Sequence, residues 1–288
     1  MSSVKELLTS TPLQSIDAKV LLSFLCHQFL GWSKSQLISR DHEALPEVLL
    51  LEWKRFEQQR LEGLPVAYLI GTKAFHNIEL QVNNSVLIPR PETELLVDFA
   101  IQEIKKRLSA DSELIHCLDL GTGSGAIALA IAFHFKDHPK AIKRLKILAT
   151  DTSTEALVTA ETNSAHLGLG HFVSFKQSDW FSDLGVQTFD LIISNPPYIS
   201  KDDPHLKLGD LRFEPISALT DFSNGLANYV ELIYSAKSFL LSGGCIAFEH
   251  GYNQSKEISD LLLFEGFSSP QTLQDLAGLD RITFSYLN

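Results

Sequence analysis

The chain has 288 residues, 44% of them hydrophobic, and a formal net charge of −11 at neutral pH. That supplies core for one large α/β domain and a smaller one, at ~100–200 residues per domain, while no apolar run approaches the ~20 residues of a membrane span. The acidic balance argues against a protein that grips long nucleic acid, which needs basic surface to displace phosphate counterions.

The amino-terminal run MSSVKELLTSTP lacks the apolar stretch of a secretory signal and is not arginine-rich, so the expected location is cytoplasmic. Residues 1–72 read as a small helical domain. In SIDAKVLLSFLCHQFLGW, the residues Val20, Leu21, Phe24, Leu25 and Phe29 fall on one helical face, with Asp17 as a cap and Gly31 as a stop. The stretch ALPEVLLLEWKRFEQQRLEGLP repeats the pattern and ends at Gly63 and Pro65. With no titratable cluster, such a bundle suits docking rather than catalysis.

Residues 73–92 read as a β-hairpin linker. Phe75, Ile78, Leu80 and Val82 alternate before Asn83-Asn84, a turn signal, and Val86 and Ile88 follow it. PRPETE then opens a long helix whose first turn is acidic, as the helix dipole favours. From residue 93 to 288 strand and helix signals alternate: LIHCLDL, a helix from Ala126, LKILATD, STEALVTAETNSAHLG, FVSFKQSDW, FDLIISNPPY, YVELIYSAKSFLLSGG, GCIAFEHG, QSKEISDLLLFEGF and RITFSYL. The expected class is α/β, a Rossmann-like and mainly parallel sheet with helices on both faces. Cys26, Cys117 and Cys245 are odd in number and widely spaced, which fits reduced core thiols better than disulfides.

Three strand ends carry candidate chemistry. LDLGTGSGAIALAIA places Gly121, Thr122, Gly123, Ser124 and Gly125 between a buried strand and an apolar helix. Glycines there allow a tight turn and close approach of a ligand to the main chain. The spacing G-x-G-x-G differs from the G-x-G-x-x-G of dinucleotide folds and points to S-adenosylmethionine, whose sulfonium needs no pyrophosphate site. Asp151 ends the next strand, where a carboxylate can accept both ribose hydroxyls. In QSDW, Asp179 is placed to reach an adenine amino group, and Trp180 offers either a flat face for the ring or simply core. The basic run KDHPKAIKRLK, Lys136 to Lys146, lies at the amino ends of the strands and reads as a solvated surface loop. His134 and His138 stand four apart without a supporting Cys or carboxylate cluster, so no metal is expected.

The fourth strand, FDLIIS, ends in Asn195-Pro196-Pro197-Tyr198. Two consecutive prolines remove two backbone donors and stiffen the chain. An amide nitrogen or exocyclic amine is a poor nucleophile because its lone pair is delocalised. The side-chain carbonyl of Asn195 and the backbone carbonyl of Pro196 can accept its two N–H groups and fix it before a methyl donor, with Tyr198 against its flat face.

Taken in order, these elements resemble the class I S-adenosylmethionine-dependent methyltransferases. GLPVAYLIGTKAFHNIELQVNNSVLIPRPETELLVD, LDLGTGSGAIALA, SDWF, SNPPYI, FEPISAL, FEHGYNQ and DLAGLDR are similar to the HemK/PrmC glutamine methyltransferases, over Gly63 to Arg281. The resemblance implies methylation of the glutamine N5 in the Gly-Gly-Gln motif of class I peptide-chain release factors. It assigns Gly121 through Gly125, Asp151, Trp180 and Asn195 to the cofactor, and Asn195, Pro196, Pro197 and Tyr198 to the substrate glutamine. Neither a membrane nor a nucleic-acid partner is expected. Alternatives are the sister enzymes that act on a ribosomal protein, adenine-N6 DNA methylation with base extrusion, and a non-enzymatic adenosyl-binding module. LIPRPETE, Leu87 to Glu94, favours the release-factor type, and the last alternative leaves the prolines unexplained.

Overall fold

The computed structural model describes residues 2–109 and 114–288. They divide into two compact units, Met1–Thr72 and Lys73–Asn288.

The first unit holds α1 (Val4–Ser10), α2 (Ser15–Leu30), α3 (Lys34–Ser39), α4 (Glu47–Leu61) and α5 (Val66–Ile70). Ser3 with Glu6 and Ser33 with Gln36 form capping boxes that satisfy the first amides of α1 and α3. Leu21, Leu22, Leu25 and Cys26 of α2 are buried in one cluster with Leu49, Trp53 and Phe56 of α4. The face expected for α2 is therefore rotated: Val20 and Phe29 are exposed. Nor is Asp17 the cap, a position that Gln14 holds; its Oδ2 instead accepts from Arg60 Nε of α4 at 2.8 Å. Gly31 does stop the helix, in the left-handed conformation that glycine adopts without penalty.

A hairpin follows, β1 (Thr72–Phe75) and β2 (Ile78–Gln81), all but its first residue in the second unit. Its turn is His76-Asn77, not Asn83-Asn84. His76 takes a left-handed φ of 50°, and its amide donates to Glu94 Oε1 at 2.8 Å. Asn83 starts a separate turn, accepting from the Ser85 amide at 2.8 Å and donating to Thr159 Oγ1 at 3.1 Å. Val86 and Ile88 are buried without joining a strand.

After a 3-10 turn, Pro91–Thr93, come α6 (Glu94–Ser109), β3 (Ile115–Leu120), α7 (Ala126–Phe135), α8 (Pro139–Arg144), β4 (Leu145–Asp151), α9 (Thr154–Leu167), β5 (Val173–Gln177) and β6 (Phe189–Ser194). The chain ends with α10 (Ala227–Ala236), β7 (Leu240–Glu249), α11 (Ser255–Phe264), β8 (Gln271–Gln274) and β9 (Asp280–Tyr286). The sheet order is β5-β4-β3-β6-β7-β9-β8. β3 pairs in parallel with both β4 and β6, which makes the carboxyl end of β3 the switch point. β9 runs antiparallel to β7 and β8.

Alternate residues of the central strands feed two cores, as expected of strands covered on both faces. Cys117, Leu191, Ile193 and Cys245 join α6 and α7 on one side, while Leu118, Ile192, Ile246 and Phe248 join α10 and α11 on the other. All three cysteines are free and buried. The basic stretch is no loop. It contains α8, whose Lys140 and Arg144 donate to the Leu108 carbonyl near the end of α6, where helix carbonyls lack partners. His138 caps α8, its Nδ1 accepting from the Ala141 amide at 3.3 Å.

Candidate active site at the carboxyl ends of the strands

The turn after β3 places Gly121, Gly123 and Gly125 at φ of 72°, 56° and 83°, the region in which a side chain costs energy. Their surroundings differ. A Cβ on Gly125 would lie 2.8 Å from Leu129 Cδ1, so this glycine lets α7 pack. A Cβ on Gly123 would meet no protein atom within 4 Å, because Gly123 faces a cavity.

Asp119, at 0% exposure, fastens the turn from below. Its Oδ2 accepts from Thr122 Oγ1 at 2.7 Å and from the Ala128 amide at 3.3 Å, joining the turn to the first coil of α7. Burial pushes its carboxyl up to about 6, against the pull of those two bonds. Its Oδ1 has no partner.

The cavity has a volume of about 340 Å³, within the ~300–1,000 Å³ typical of small-molecule sites. Gly121, Gly123, Asp151, Asp179, Trp180, Asn195 and Pro197 line it, drawn from the ends of four parallel strands. Thr122, Ser124 and Gly125 do not line it; they brace the turn, and the Ser124 carbonyl accepts from Asn163 Nδ2 at 2.9 Å. Both oxygens of Asp151 are held, Oδ2 by the Gly123 amide and Oδ1 by the Ser153 amide, each at 2.9 Å. Burial raises its pKa while these amides lower it, and each oxygen keeps a second lone pair for a ligand hydroxyl. Trp180 is half-buried, with a left-handed φ of 46° and its ring against Gly121. It forms a wall of the cavity and also packs against the edge of the core on the α10–α11 side of the sheet.

Pro196 and Tyr198 line a second, adjoining hollow of about 100 Å³ with Leu87, Arg90 and Leu211, and Asn195 lines both spaces. The proline loop is braced from outside: Asn228 Nδ2 donates to the Pro197 carbonyl at 2.8 Å, and Gln254 Nε2 to the Tyr198 carbonyl at 3.1 Å. Gly225 lies so close that a Cβ there would sit 2.4 Å from the Tyr198 carbonyl oxygen. Burial raises the Tyr198 phenol well above its ordinary range.

Several contributors escaped the sequence reading. Asn84 to Leu87 and Pro215, Ser217 and Ala218 complete the walls of the larger cavity. Buried Glu214 ties these segments together, accepting from the Ile88 amide at 2.9 Å and pairing with Arg90. LIPRPETE and FEPISAL mark both stretches in the sequence, but neither has a spacing that assigns a role to any one residue. Among the described residues, no group of three or more His, Cys, Asp or Glu is placed to hold a metal ion.

A parallel sheet switching direction at β3, a glycine turn opening on a cavity, and Asp151 beside it define a class I S-adenosylmethionine-dependent methyltransferase. The residues suit that methyl donor: open space over Gly123, a carboxylate at the second strand end, and a flat indole wall. Residues 95–212 match the family model of the methyltransferase small domain, and residues 2–71 that of the PrmC N-terminal domain. A methyltransferase from Pyrococcus furiosus has the same fold, with a TM-score of 0.51 and 17% identity over 81% of this chain and 98% of that one. The release factor glutamine methyltransferase of Burkholderia pseudomallei is 40% identical over 97% of this chain and 94% of its own length. That of Neisseria gonorrhoeae is 41% identical, over 96% and 95%. The chain belongs to the release factor glutamine methyltransferase family.

Proposed function

We propose that this enzyme methylates the side-chain nitrogen, N5, of the glutamine in the Gly-Gly-Gln motif of class I peptide-chain release factors, in the cytoplasm. The observation that carries the reading is the position of Asn195 between two spaces. The larger space suits the methyl donor, with Gly121 and Gly123 against its backbone-facing side, Asp151 for the ribose hydroxyls, and Asp179 and Trp180 for the adenine. The smaller one, walled by Leu87, Pro196, Tyr198 and Leu211, suits the aliphatic stem and flat amide of a glutamine.

When bound, S-adenosylmethionine supplies an electrophilic methyl group on a sulfonium. The chain's own contribution is orientation. Asn195 Oδ1 and the Pro196 carbonyl accept the two amide hydrogens, which directs the nitrogen and favours the positive charge that develops on it. No strong base is required, since the nitrogen becomes acidic only as its new bond forms. The helical unit, residues 1–72, is the docking module for the protein substrate in this reading. A net charge of −11 disfavours the DNA alternative, which demands a duplex grip.

Methyl-labelled S-adenosylmethionine, offered with a release factor, its Gln→Ala variant, ribosomal protein and DNA in separate reactions, tests the proposal. Label on the intact release factor alone is the expected result. Label on ribosomal protein or DNA instead would keep the fold and overturn the substrate. Asn195→Ala is expected to lower kcat far more than cofactor affinity; equal losses in both would remove its orienting role.

A further inference from the structure

Behind Asn195 lies a buried polar chain with no part in the chemistry described so far. Phe248 of β7 pairs with Ser194 of β6, so the next residues along the two strands, Glu249 and Asn195, emerge side by side. Glu249 is 1% exposed and Thr93, from the 3-10 turn before α6, is 4% exposed. Asn195 Nδ2 donates to Thr93 Oγ1 at 3.3 Å. Thr93 and Asn195 lie beside the Glu249 carboxylate, where both oppose the rise that burial imposes on it, and its Oε2 has no hydrogen-bond partner.

The direction of this chain follows from its end. An ionised carboxylate only accepts, so beside it the Thr93 hydroxyl is free to point its O–H toward Glu249 and turn a lone pair toward Asn195, the arrangement in which Asn195 Nδ2 donates to it. That lone pair takes an N–H of the Asn195 amide. The two ends of an asparagine amide are nearly identical in shape, and only their partners tell them apart. An acceptor-only group behind the amide therefore turns Nδ2 inward and leaves Oδ1 facing the two hollows. The flipped amide would set N–H donors against the N–H groups of a substrate amide.

We infer that Glu249 is a positioning residue, which, directly and through Thr93, holds Asn195 with its carbonyl toward the substrate nitrogen. This rests on the substrate role proposed above for Asn195. It assigns to Glu249 the selection of one amide orientation, with no contact to the substrate.

The test uses the full-length enzyme with Glu249→Ala, Thr93→Val, Thr93→Ser and the Ala/Val double variant. Glu249→Ala and Thr93→Val are each expected to lower kcat about 10- to 100-fold, the scale of a misdirected reacting group. S-adenosylmethionine Kd should stay within about twofold of the parent value, and release-factor KM should change little. Thr93→Ser, which keeps the hydroxyl, should restore kcat, and the double variant should lose no more than the worse single one, because both act through one amide. Equal rates for the Val and Ser variants, losses that multiply, or parallel changes in Kd and kcat would overturn the assignment. If Glu249→Ala fails to fold, the Val and Ser pair decides the matter alone. A readout independent of turnover is the side-chain amide signal of Asn195 in nitrogen-15 spectra. It should shift in Glu249→Ala and Thr93→Val and hold in Thr93→Ser, whichever substrate the parent enzyme labels. An unshifted signal would refute the proposal even if the release factor is the wrong substrate.

Discussion

Gly225, which lines neither hollow, offers a way to disturb the proline loop at its Tyr198 end. Its φ is +88°, so an alanine there carries the left-handed penalty of ~1–2 kcal/mol. The added Cβ would also lie 2.4 Å from the Tyr198 carbonyl oxygen and 2.9 Å from Gln254 Nε2. The Gln254 tip can swing aside only by releasing the Tyr198 and Gly225 carbonyls that it binds at 3.1 Å. Gly225 cannot retreat freely either, because its amide is bound to Asp221 Oδ1 at 2.9 Å. Ordinary contact requires a separation larger by roughly 1 Å, and the displacement falls on a backbone next to Pro196 and Pro197. A shift of that size costs about 100-fold in a positioned reaction, and strain with overpacking costs about 2–5 kcal/mol of stability. Gly225→Ala should therefore lower kcat for release-factor methylation by about two orders of magnitude, while calorimetry shows a far smaller change in S-adenosylmethionine Kd. Gly243→Ala is the control: its φ is +72°, yet a Cβ would meet nothing within 4 Å. It should cost only the backbone penalty in thermal unfolding and leave kcat alone. Parent-like turnover by a folded Gly225→Ala enzyme, or a cofactor affinity that falls in step with kcat, would refute this account.

The Cβ of Gly123→Val meets no protein atom within 4 Å, so the variant should fold with a backbone penalty of ~1–2 kcal/mol, yet weaken S-adenosylmethionine binding at least about tenfold in calorimetry, since a side chain there enters the cavity. A carboxyl held at about 6, as Asp119 is, destabilises the ionised fold by up to ~3 kcal/mol. Its stabilising contribution is present below the unfolded pKa and lost as pH rises through 6. Asp119→Asn should accordingly raise Tm at pH 8 and gain little at pH 4, as scanning calorimetry at the two pH values would reveal. Burial pushes Glu249 up to about 7; Thr93, Arg281 and Asn195 pull the other way, and Glu92 adds to the rise. Protonated Glu249 can donate, which removes the fixed direction of the Thr93 chain. So kcat should fall as pH drops through 7, with a one-proton slope that Glu249→Gln abolishes; a flat profile in the parent enzyme would refute it.

The parallel core was legible because each buried strand is a short apolar run closed by a glycine, Asp151, Ser178-Asp179 or Asn195, and a strand's end is where an α/β sheet exposes chemistry. The β1–β2 turn was not legible. Asn83-Asn84 has the better turn chemistry, but Glu94, eighteen residues after His76, caps the His76 amide and moves the turn. The α2 face was misread because all of Val20, Leu21, Leu22, Phe24 and Leu25 are apolar, and periodicity cannot orient a helix that is hydrophobic over most of its surface. α8 was hidden by its charges, which serve the end of α6 rather than an apolar face. Glu214 and Glu249 look like any surface acids in the sequence. Their burial is a property of neighbours 126 and 54 residues away, Ile88 and Asn195.

The half-buried indole beside Gly121 has an optical consequence. The chain has three tryptophans. Trp32 and Trp53 are packed within the helical unit, whereas Trp180 borders the larger cavity. With phenylalanine at the first two positions, the remaining emission arises from a single chromophore on the wall of the chamber. Its wavelength and quenching then report filling and emptying in real time, with no label attached and no methyl group transferred.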